Sequence, residues 1–365
     1  MDKETRYLIA LTKIPGVGSV TAKTLTAYCG STEAVFQSSK DKLLSIPGIG
    51  EHLIRALQSV DPEALIEREI QQMQKRDIRI LPYWDEDFPY RLKSLPDGPM
   101  LLFYRGEPAL NSRRILGIVG TRSSTGYGQR MVRQIIEGLK GYDVVIVSGL
   151  AYGIDAVAHA SALEFGMETI GVVAHGLDTI YPAAHRKLAG RMIGHGGLVT
   201  EFPTEVQPQK ERFPMRNRII AGLCDALLVV ESGRSGGSMI TVQYASDYDR
   251  QVFAVPGRGD DPMSEGPNYL ISKQVAQLVT SAEQIADTLF WKLPKEQSGV
   301  QMELFPLLEG NEAVVMEVLP RGEEVSMDYL IEQTGLPIST LGAVLLTMEM
   351  KGLVCSCPGT RFIRY

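Results

Sequence analysis

Arg212, Arg216 and Arg218, with Asn217 among them, crowd the segment RFPMRNR. Guanidinium and amide groups present N–H donors in a geometry that matches phosphate oxygens, so the first chemistry this chain suggests is anion recognition. The apolar run Ala226 to Val230 follows and reads as a buried strand. Glu231-Ser-Gly-Arg-Ser-Gly-Gly-Ser238 then turns into a helix expected to begin near Met239, with Ser238 as its N-cap. Free backbone amides at such a start attract anions, which adds Ser235, Gly236, Gly237 and Ser238 to the candidate site.

Two further turns have the same character. Gly120-Thr-Arg-Ser-Ser-Thr-Gly126 and Ser148-Gly-Leu-Ala-Tyr-Gly-Ile-Asp155 each follow an apolar run and precede a helical pattern. Taken singly, each is a tight turn with nothing bound. Taken together, with Gly120, Arg122, Ser148 and Gly149 beside the Arg216 cluster, they converge on the crevice beyond the carboxyl ends of an open α/β sheet. The first loop is not GxGxxG, the second strand ends in Ser148 where a ribose-binding acid would stand, and no GxxxxGK[ST] occurs. Dinucleotide and P-loop nucleotide binding are therefore disfavoured, and no cofactor or metal is expected.

Catalytic groups are scarce. None of the five histidines lies in HExxH, and Ser148 lacks the glycine two residues earlier that a nucleophile elbow needs. Asp155 and His159 fall four apart on a helix and would suit an acid-base or metal pair. The simpler reading has Asp155 capping that helix and His159 satisfying a hydrogen bond under the loop. Asp260, Asp261 and Glu265 read as a solvated acidic loop before they read as a cation site. In Tyr181-Pro-Ala-Ala-His-Arg-Lys-Leu188, Arg186 and Lys187 are placed to meet a strand's backbone, while Tyr181 or Phe213 would stack on a base. On its own, that segment reads equally as an ordinary surface helix.

The elements that must position these groups fall into three regions. Ile14-Pro-Gly-Val-Gly18 and Ile46-Pro-Gly-Ile-Gly50 form a near-repeat, each followed by a helical pattern, and resemble tandem helix-hairpin-helix motifs. Such turns leave amides free for phosphate, and Lys23 supports that use in the first hairpin while Glu51 opposes it in the second. A helical domain that only packs or links is the alternative. From about Leu81 to Leu289, strands are expected at Ile115 to Val119, Val144 to Val147, Thr169 to Val173, Ala226 to Val230 and Val252 to Val255, which make a doubly wound α/β domain. Residues 291–307 read as a linker. Helices at Glu312 to Leu319, Ser326 to Thr334 and Ser339 to Lys351, then a hairpin ending at Tyr365, give the order of a winged helix. Its third helix carries only Lys351 as a cation, which argues against major-groove reading.

A chain of 365 residues, 44% hydrophobic and 22% charged, suits a soluble protein of two or three domains. No apolar run spans a bilayer and the start lacks a secretory pattern, so a cytoplasmic protein without membrane contact is expected. Cys355 and Cys357 read as packed thiols in one strand, not as a disulfide or zinc half-site. With a net charge of −6, any polyanion must meet a local patch such as Lys210 to Arg218.

SGLAYGIDAVAH (Ser148 to His159), GLDTIYP (Gly176 to Pro182), FPMRNRIIAGL (Phe213 to Leu223), ESGRSGGSMIT (Glu231 to Thr241) and AVPG (Ala254 to Gly257), in this order and spacing, closely resemble the DNA-processing protein A family, DprA or Smf. The resemblance implies an extended Rossmann-like doubly wound domain at 76–290, a SAM-like tandem helix-hairpin-helix domain at 1–75, and a winged helix at 308–365. It implies a non-catalytic cytoplasmic protein that binds and protects incoming single-stranded DNA during natural transformation and loads the RecA recombinase onto it. It also implies a homodimer through the Rossmann domain and a cationic pocket. Arg122 falls on the family's G-[ST]-R-x-x-[ST] arginine, Lys187 on its lysine after the Tyr-Pro motif, and Phe213, Arg216, Asn217 and Arg218 on FPxRNR. The chain departs from the family at His185, where asparagine is frequent. A different class remains open, because glycine loops with an acid such as Glu231 also resemble Rossmann phosphoribohydrolases that cleave nucleoside monophosphates. In that case Glu231 would face the pocket with a second polar partner.

Overall fold

The computed structural model describes residues 1–293, 310–320, 324–351, 353–357 and 360–364, apart from the side chains of Met350 and Cys357. The chain divides into two units, Met1–Pro294 and Lys295–Tyr365. The first unit opens with six helices, α1 (Lys3–Thr12), α2 (Ser19–Cys29), α3 (Thr32–Gln37), α4 (Lys40–Leu44), α5 (Glu51–Gln58) and α6 (Pro62–Gln74). Both Pro-Gly-x-Gly turns lead into helices as their pattern predicts. Gly16 and Gly48 hold left-handed φ values of 88° and 81°, which a side chain would resist. Leu11, Ile14, Leu25, Ile46, Ile54 and Leu57 fill the core beneath the turns.

Nine strands follow: β1 (Arg79–Pro82), β2 (Leu101–Gly106), β3 (Ile115–Val119), β4 (Val145–Ser148), β5 (Thr169–Val172), β6 (Gly196–Thr200), β7 (Ala226–Val229), β8 (Gln251–Ala254) and β9 (Gln277–Leu278). They make one sheet in the order β1-β2-β6-β5-β4-β3-β7-β8-β9. The ladders from β6 to β9 are parallel, while β2 pairs antiparallel with both β1 and β6. Strands β3 to β7 are buried along their whole length because helices cover both faces. Helices α7 (Tyr90–Lys93), α8 (Gly126–Leu139), α9 (Ile154–Glu164), α10 (Arg186–Ile193), α11 (Arg212–Leu223), α12 (Gly237–Asp247), α13 (Glu265–Ser272) and α14 (Ala282–Thr288) supply those layers. On one face Ile219, Ile220, Leu223, Val242 and Leu270 pack on the sheet; on the other Val132, Ile135, Ile136, Ala158 and Ile285 do so. The chain winds outward from β3 to β6 and returns to place β7 on the opposite side of β3. The winding therefore reverses between β3 and β7, where open sheets leave a crevice.

The helical domain is braced against the sheet by polar contacts. Glu69 on α6 is fully buried; the backbone N–H and hydroxyl of Thr204, just past β6, each donate to its carboxylate at 2.7 Å, and Lys13 pairs with it. The first hairpin faces the same interface. Ser19 bonds Glu201 at 3.2 Å, and Lys23 extends its ammonium towards the Leu95 and Pro96 carbonyls, with burial holding its pKa down. Lys23 is thus partly engaged by packing, because α2 lies against the α/β domain. In the second hairpin Glu51 sits among Lys40 and Arg55.

In the second unit, α15 (Asn311–Val318), β10 (Glu324–Ser326), α16 (Met327–Thr334), α17 (Ile338–Met350), β11 (Val354–Cys357) and β12 (Arg361–Arg364) form a winged helix, its strands ordered β10-β12-β11. Val315, Leu330, Leu341, Leu345 and Met348 form its core. Ile338, Ser339, Ala343, Leu346 and Thr347 of α17 are exposed and uncharged. Cys355 is a free thiol in β11. The linker expected at 291–307 lies, beyond residue 293, outside the described residues. No single helix among the described residues is long and apolar enough to cross a membrane.

Removal of the Glu69 carboxylate by Glu69→Ala leaves Thr204 without its acceptor and Lys13 with only Glu205, at 4.0 Å, in a buried interface. A loss of about 3 kcal/mol in unfolding free energy is expected, read as a lower urea midpoint.

Candidate nucleic-acid interface

The loops after β3 and β7 and the helix α11 enclose a cleft of about 770 Å3 at the carboxyl rim of the sheet. Gly120, Thr121 and Arg122 supply one wall, Ser232 to Ser238 another, and Lys210, Phe213, Arg216 and Asn217 a third. The volume lies in the range of ligand-binding clefts.

Arg216 is the floor of this space. It is only 4% exposed, and its guanidinium donates to the carbonyls of Gly149, just past β4, and Val172, at the end of β5. Burial lowers its pKa to about 10, opposed by the neighbouring Asp155 and reinforced by Arg122, so it stays charged at neutral pH. A Cβ on Gly149 would overlap the guanidinium, so any larger residue there would have to displace Arg216. One turn earlier on α11, Phe213 is half-buried, with Arg216 5.8 Å and Arg122 5.0 Å from its ring centroid. Tyr181 joins the group, its ring 6.2 Å from that of Phe213. Arg122 is exposed, and among the described residues no carboxylate pairs with it. The cleft therefore offers free cations beside an aromatic face.

Asp155 is the acid in the cleft wall. Its carboxyl is pushed up by burial, while Arg216 and the backbone N–H groups of Ala151 and Gly149 pull the other way. It follows Gly153, the N-cap residue of α9, and receives the Ala151 N–H at 3.2 Å, so it pins the loop after β4 instead of capping the helix. His159 does not pair with it. Thr169 donates its hydroxyl to the Ile146 carbonyl, so at 2.7 Å it accepts from His159 Nδ1–H. The other ring nitrogen, Nε2, is buried without a partner, and burial lowers the imidazole to about 3. His159 is a neutral structural histidine.

Several expected contacts are reassigned. Arg218 lies outside the cleft and reaches Glu201 and the Asp97 carbonyl at 2.6 Å. The cause is helical: residues two apart on α11 project to opposite sides, so Arg216 and Arg218 cannot serve one pocket. Arg212 bonds the Gln207 carbonyl. Ser148 is buried and donates to the Ile118 carbonyl at 2.6 Å, so it braces β3 against β4. Gly149 lies beneath the cleft, and Lys187 is exposed on α10 beyond its walls. Gly236, not Ser238, caps α12, and the Ser238 hydroxyl donates to Ser232 at 2.7 Å. Asn217 donates to the Gly237 carbonyl at 3.3 Å, which fastens α11 to the start of α12. Gly120, Arg122, Phe213, Arg216, Asn217, Ser235, Gly236, Gly237 and Ser238 all line the cleft. Ile240, Thr241 and Met263 line it too; the first two lie one turn into α12, a helical spacing that would have revealed them.

Glu231 faces away from the cleft. The Thr125 N–H donates to its carboxylate at 2.9 Å and the Thr125 hydroxyl also donates to it, at the start of α8, where Gly128 makes room. An anion is favourable at that helix start. In the acidic loop Asp260 pairs with Arg258, and Asp261 accepts from Met263 N–H and the Ser264 hydroxyl. No metal-binding cluster occurs among the described residues.

The fold and site define a class: a Rossmann-like domain with a cationic rim cleft, preceded by tandem helix-hairpin-helix motifs and followed by a winged helix. The family model for DNA recombination-mediator protein A matches residues 79–290, that for the DprA winged helix domain 306–360, and that for a SAM-like tandem helix-hairpin-helix 8–65. Protein Smf of Escherichia coli is 38% identical over 303 residues, 82% of this chain and 80% of that protein. DNA processing protein DprA of Bacillus subtilis is 43% identical over 216 residues, 59% of this chain and 72% of that one. The X-ray structure of DprA from Streptococcus pneumoniae superimposes with a TM-score of 0.67 at 33% identity, covering 77% of this chain and 97% of that one. A structure of DNA processing protein A from Helicobacter pylori, solved to describe its single-stranded DNA binding mode, gives 0.53 at 29% identity, covering 58% and 95%. This chain belongs to the DNA recombination-mediator protein A family.

His159 and His175 are both held below their ordinary pKa by burial. The unfolded chain protonates them first as pH falls, so their contribution to stability is complete above about pH 6.5 and declines towards acid. Unfolding free energy measured between about pH 6 and 4 should fall more gently in His159→Gln, by up to about 1.4 kcal/mol per pH unit.

Proposed function

We propose that this chain binds single-stranded DNA in the rim cleft, without bond-making chemistry, and acts as a recombination mediator. In that role it protects incoming DNA during natural transformation and loads the RecA recombinase onto it in the cytoplasm. The domain division proposed is a helix-hairpin-helix region at 1–75, the DNA-binding Rossmann-like domain at 76–290, a linker at 291–307 and the winged helix at 308–365. The observation that carries the proposal is unpaired Arg122 stacked on Phe213 above the buried Arg216. A cation and an aromatic face together suit phosphate and an unstacked base, a pairing that duplex DNA does not offer. Gly120, Asn217 and the Ser235 to Ser238 turn contribute the remaining walls. Lys187 extends the cationic path beyond the cleft.

The phosphoribohydrolase alternative needs an acid directed at the ligand, and the Glu231 carboxylate is engaged at the start of α8. Free base released from nucleoside monophosphates would restore that alternative. A homodimer through the Rossmann-like domain is also proposed, supported by the open edge at β9, where Val275 and Leu278 are exposed. The uncharged outer face of α17 supports a protein-contact or indirect role for the winged helix. Deleting 308–365 should leave duplex affinity unchanged, as a filter-binding titration would reveal.

The decisive measurement is titration of a labelled oligo-dT strand, and of a duplex of equal length, at two salt concentrations. Single-strand binding should be tighter and should weaken with salt by a log-log slope of about 0.7 per phosphate neutralised. Arg122→Ala is the informative variant, because Arg122 is exposed whereas Arg216 also holds two carbonyls. It should weaken binding and reduce the slope by about one contact's worth. An unchanged slope would sink the cleft as the DNA site.

A further inference from the structure

Tyr152 is a ring held in place without being buried. It is 50% exposed, on the loop between β4 and α9, and its ring meets that of His185 edge-on, with centroids 5.0 Å apart and planes at 67°. Neither support is loose. His185 donates Nδ1–H to the Leu150 carbonyl at 2.9 Å, Ala151 N–H is bonded to Asp155, and Ile154 N–H to the Thr121 carbonyl at 3.1 Å. Tyrosine loses little conformational entropy when used as a contact surface, and less when its position is already fixed.

The surroundings indicate what such a ring would meet. Ala151 and Asp155, on either side of Tyr152 in the chain, line the cleft, as does Tyr181, four residues before His185. Past His185, Arg186 and Lys187 are exposed, and among the described residues neither forms an ion pair. An exposed aromatic ring at the rim of a cationic cleft, braced by a histidine that two unpaired cations follow in the chain, fits a polyanion that carries planar groups.

We propose that Tyr152, braced by His185, is a second stacking platform outside the cleft, on which an unpaired nucleobase of the bound strand lies while Lys187 meets its phosphate. The assignment rests on the cleft being the single-strand site, and it extends the bound length of the strand along the rim towards α10. His185 acts as a positioning residue, through the ring of Tyr152.

The test uses the full chain, oligo-dT and the variants Tyr152→Ala, Tyr152→Trp and Arg122→Ala. Tyr152→Ala is expected to weaken binding of a strand of about twelve nucleotides roughly fivefold, the lower end for one stacked base, with the salt slope unchanged because no charge is removed. In Tyr152→Trp the new indole should lose fluorescence on adding oligo-dT and keep it on adding an abasic strand of equal length. Wild-type affinity in Tyr152→Ala alongside weakened Arg122→Ala overturns the platform and leaves the cleft standing. Wild-type affinity in both variants overturns the cleft reading as well. Loss of recombinase loading with intact strand affinity in Tyr152→Ala assigns the ring to a protein contact and also overturns the platform. Should Tyr152→Ala fail to fold, quenching of the tryptophan supports the platform and unquenched emission overturns it.

Discussion

A buried guanidinium organises the rim of the sheet. Removing a charge from water is costly unless acceptors replace the lost hydration, and Arg216 finds them in the carbonyls of Gly149 and Val172, with Asp155 nearby. That arrangement ties α11 to the ends of two adjacent strands. It fixes Phe213 one turn away and thereby gives Arg122 a face to stack on. It also accounts for the glycine at 149, where a side chain would displace the guanidinium, and for the carboxylate at 155, which holds the loop that carries the carbonyl.

The same economy governs the acids. In a chain with net charge −6, three carboxylates near the sheet are engaged in the scaffold and not in the cleft. Glu231 accepts at the start of α8, Glu201 pairs with Arg218, and Glu69 binds the helical domain to the segment after β6. These groups are buried and bonded, and among the described residues Arg122 and Lys210 in the cleft form no ion pair. The helix-hairpin-helix region takes part in this scaffold: Ser19 and Lys23, at the hairpin one would inspect for phosphate, face Glu201 and the Leu95 and Pro96 carbonyls.

The central parallel strands were legible because burial on both faces demands continuous apolar runs, as in Ile115 to Val119 and Ala226 to Val229. β1 and β2 were not, since Arg79, Pro82, Tyr104 and Arg105 interrupt the apolar pattern and their pairing is antiparallel at an edge. β6 begins with two glycines, and β9 has only two residues, both exposed. Their places depend on partners distant in the chain.

Residue types and spacing alone determined the three glycine turns at one sheet edge, the paired hairpins and the winged-helix order, because these follow from local periodicity and backbone sterics. Tertiary structure decided which donors remain available. Arg216 and Arg218 are equivalent as letters, yet one underlies the cleft and the other pairs with Glu201, since a helix sends residues two apart to opposite sides and only packing reveals which side is the site. Glu231, Ser148 and Ser238 were likewise reassigned by neighbours that the chain brings together only on folding, and hydrogen-bond saturation is a property of those neighbours and not of the residue itself.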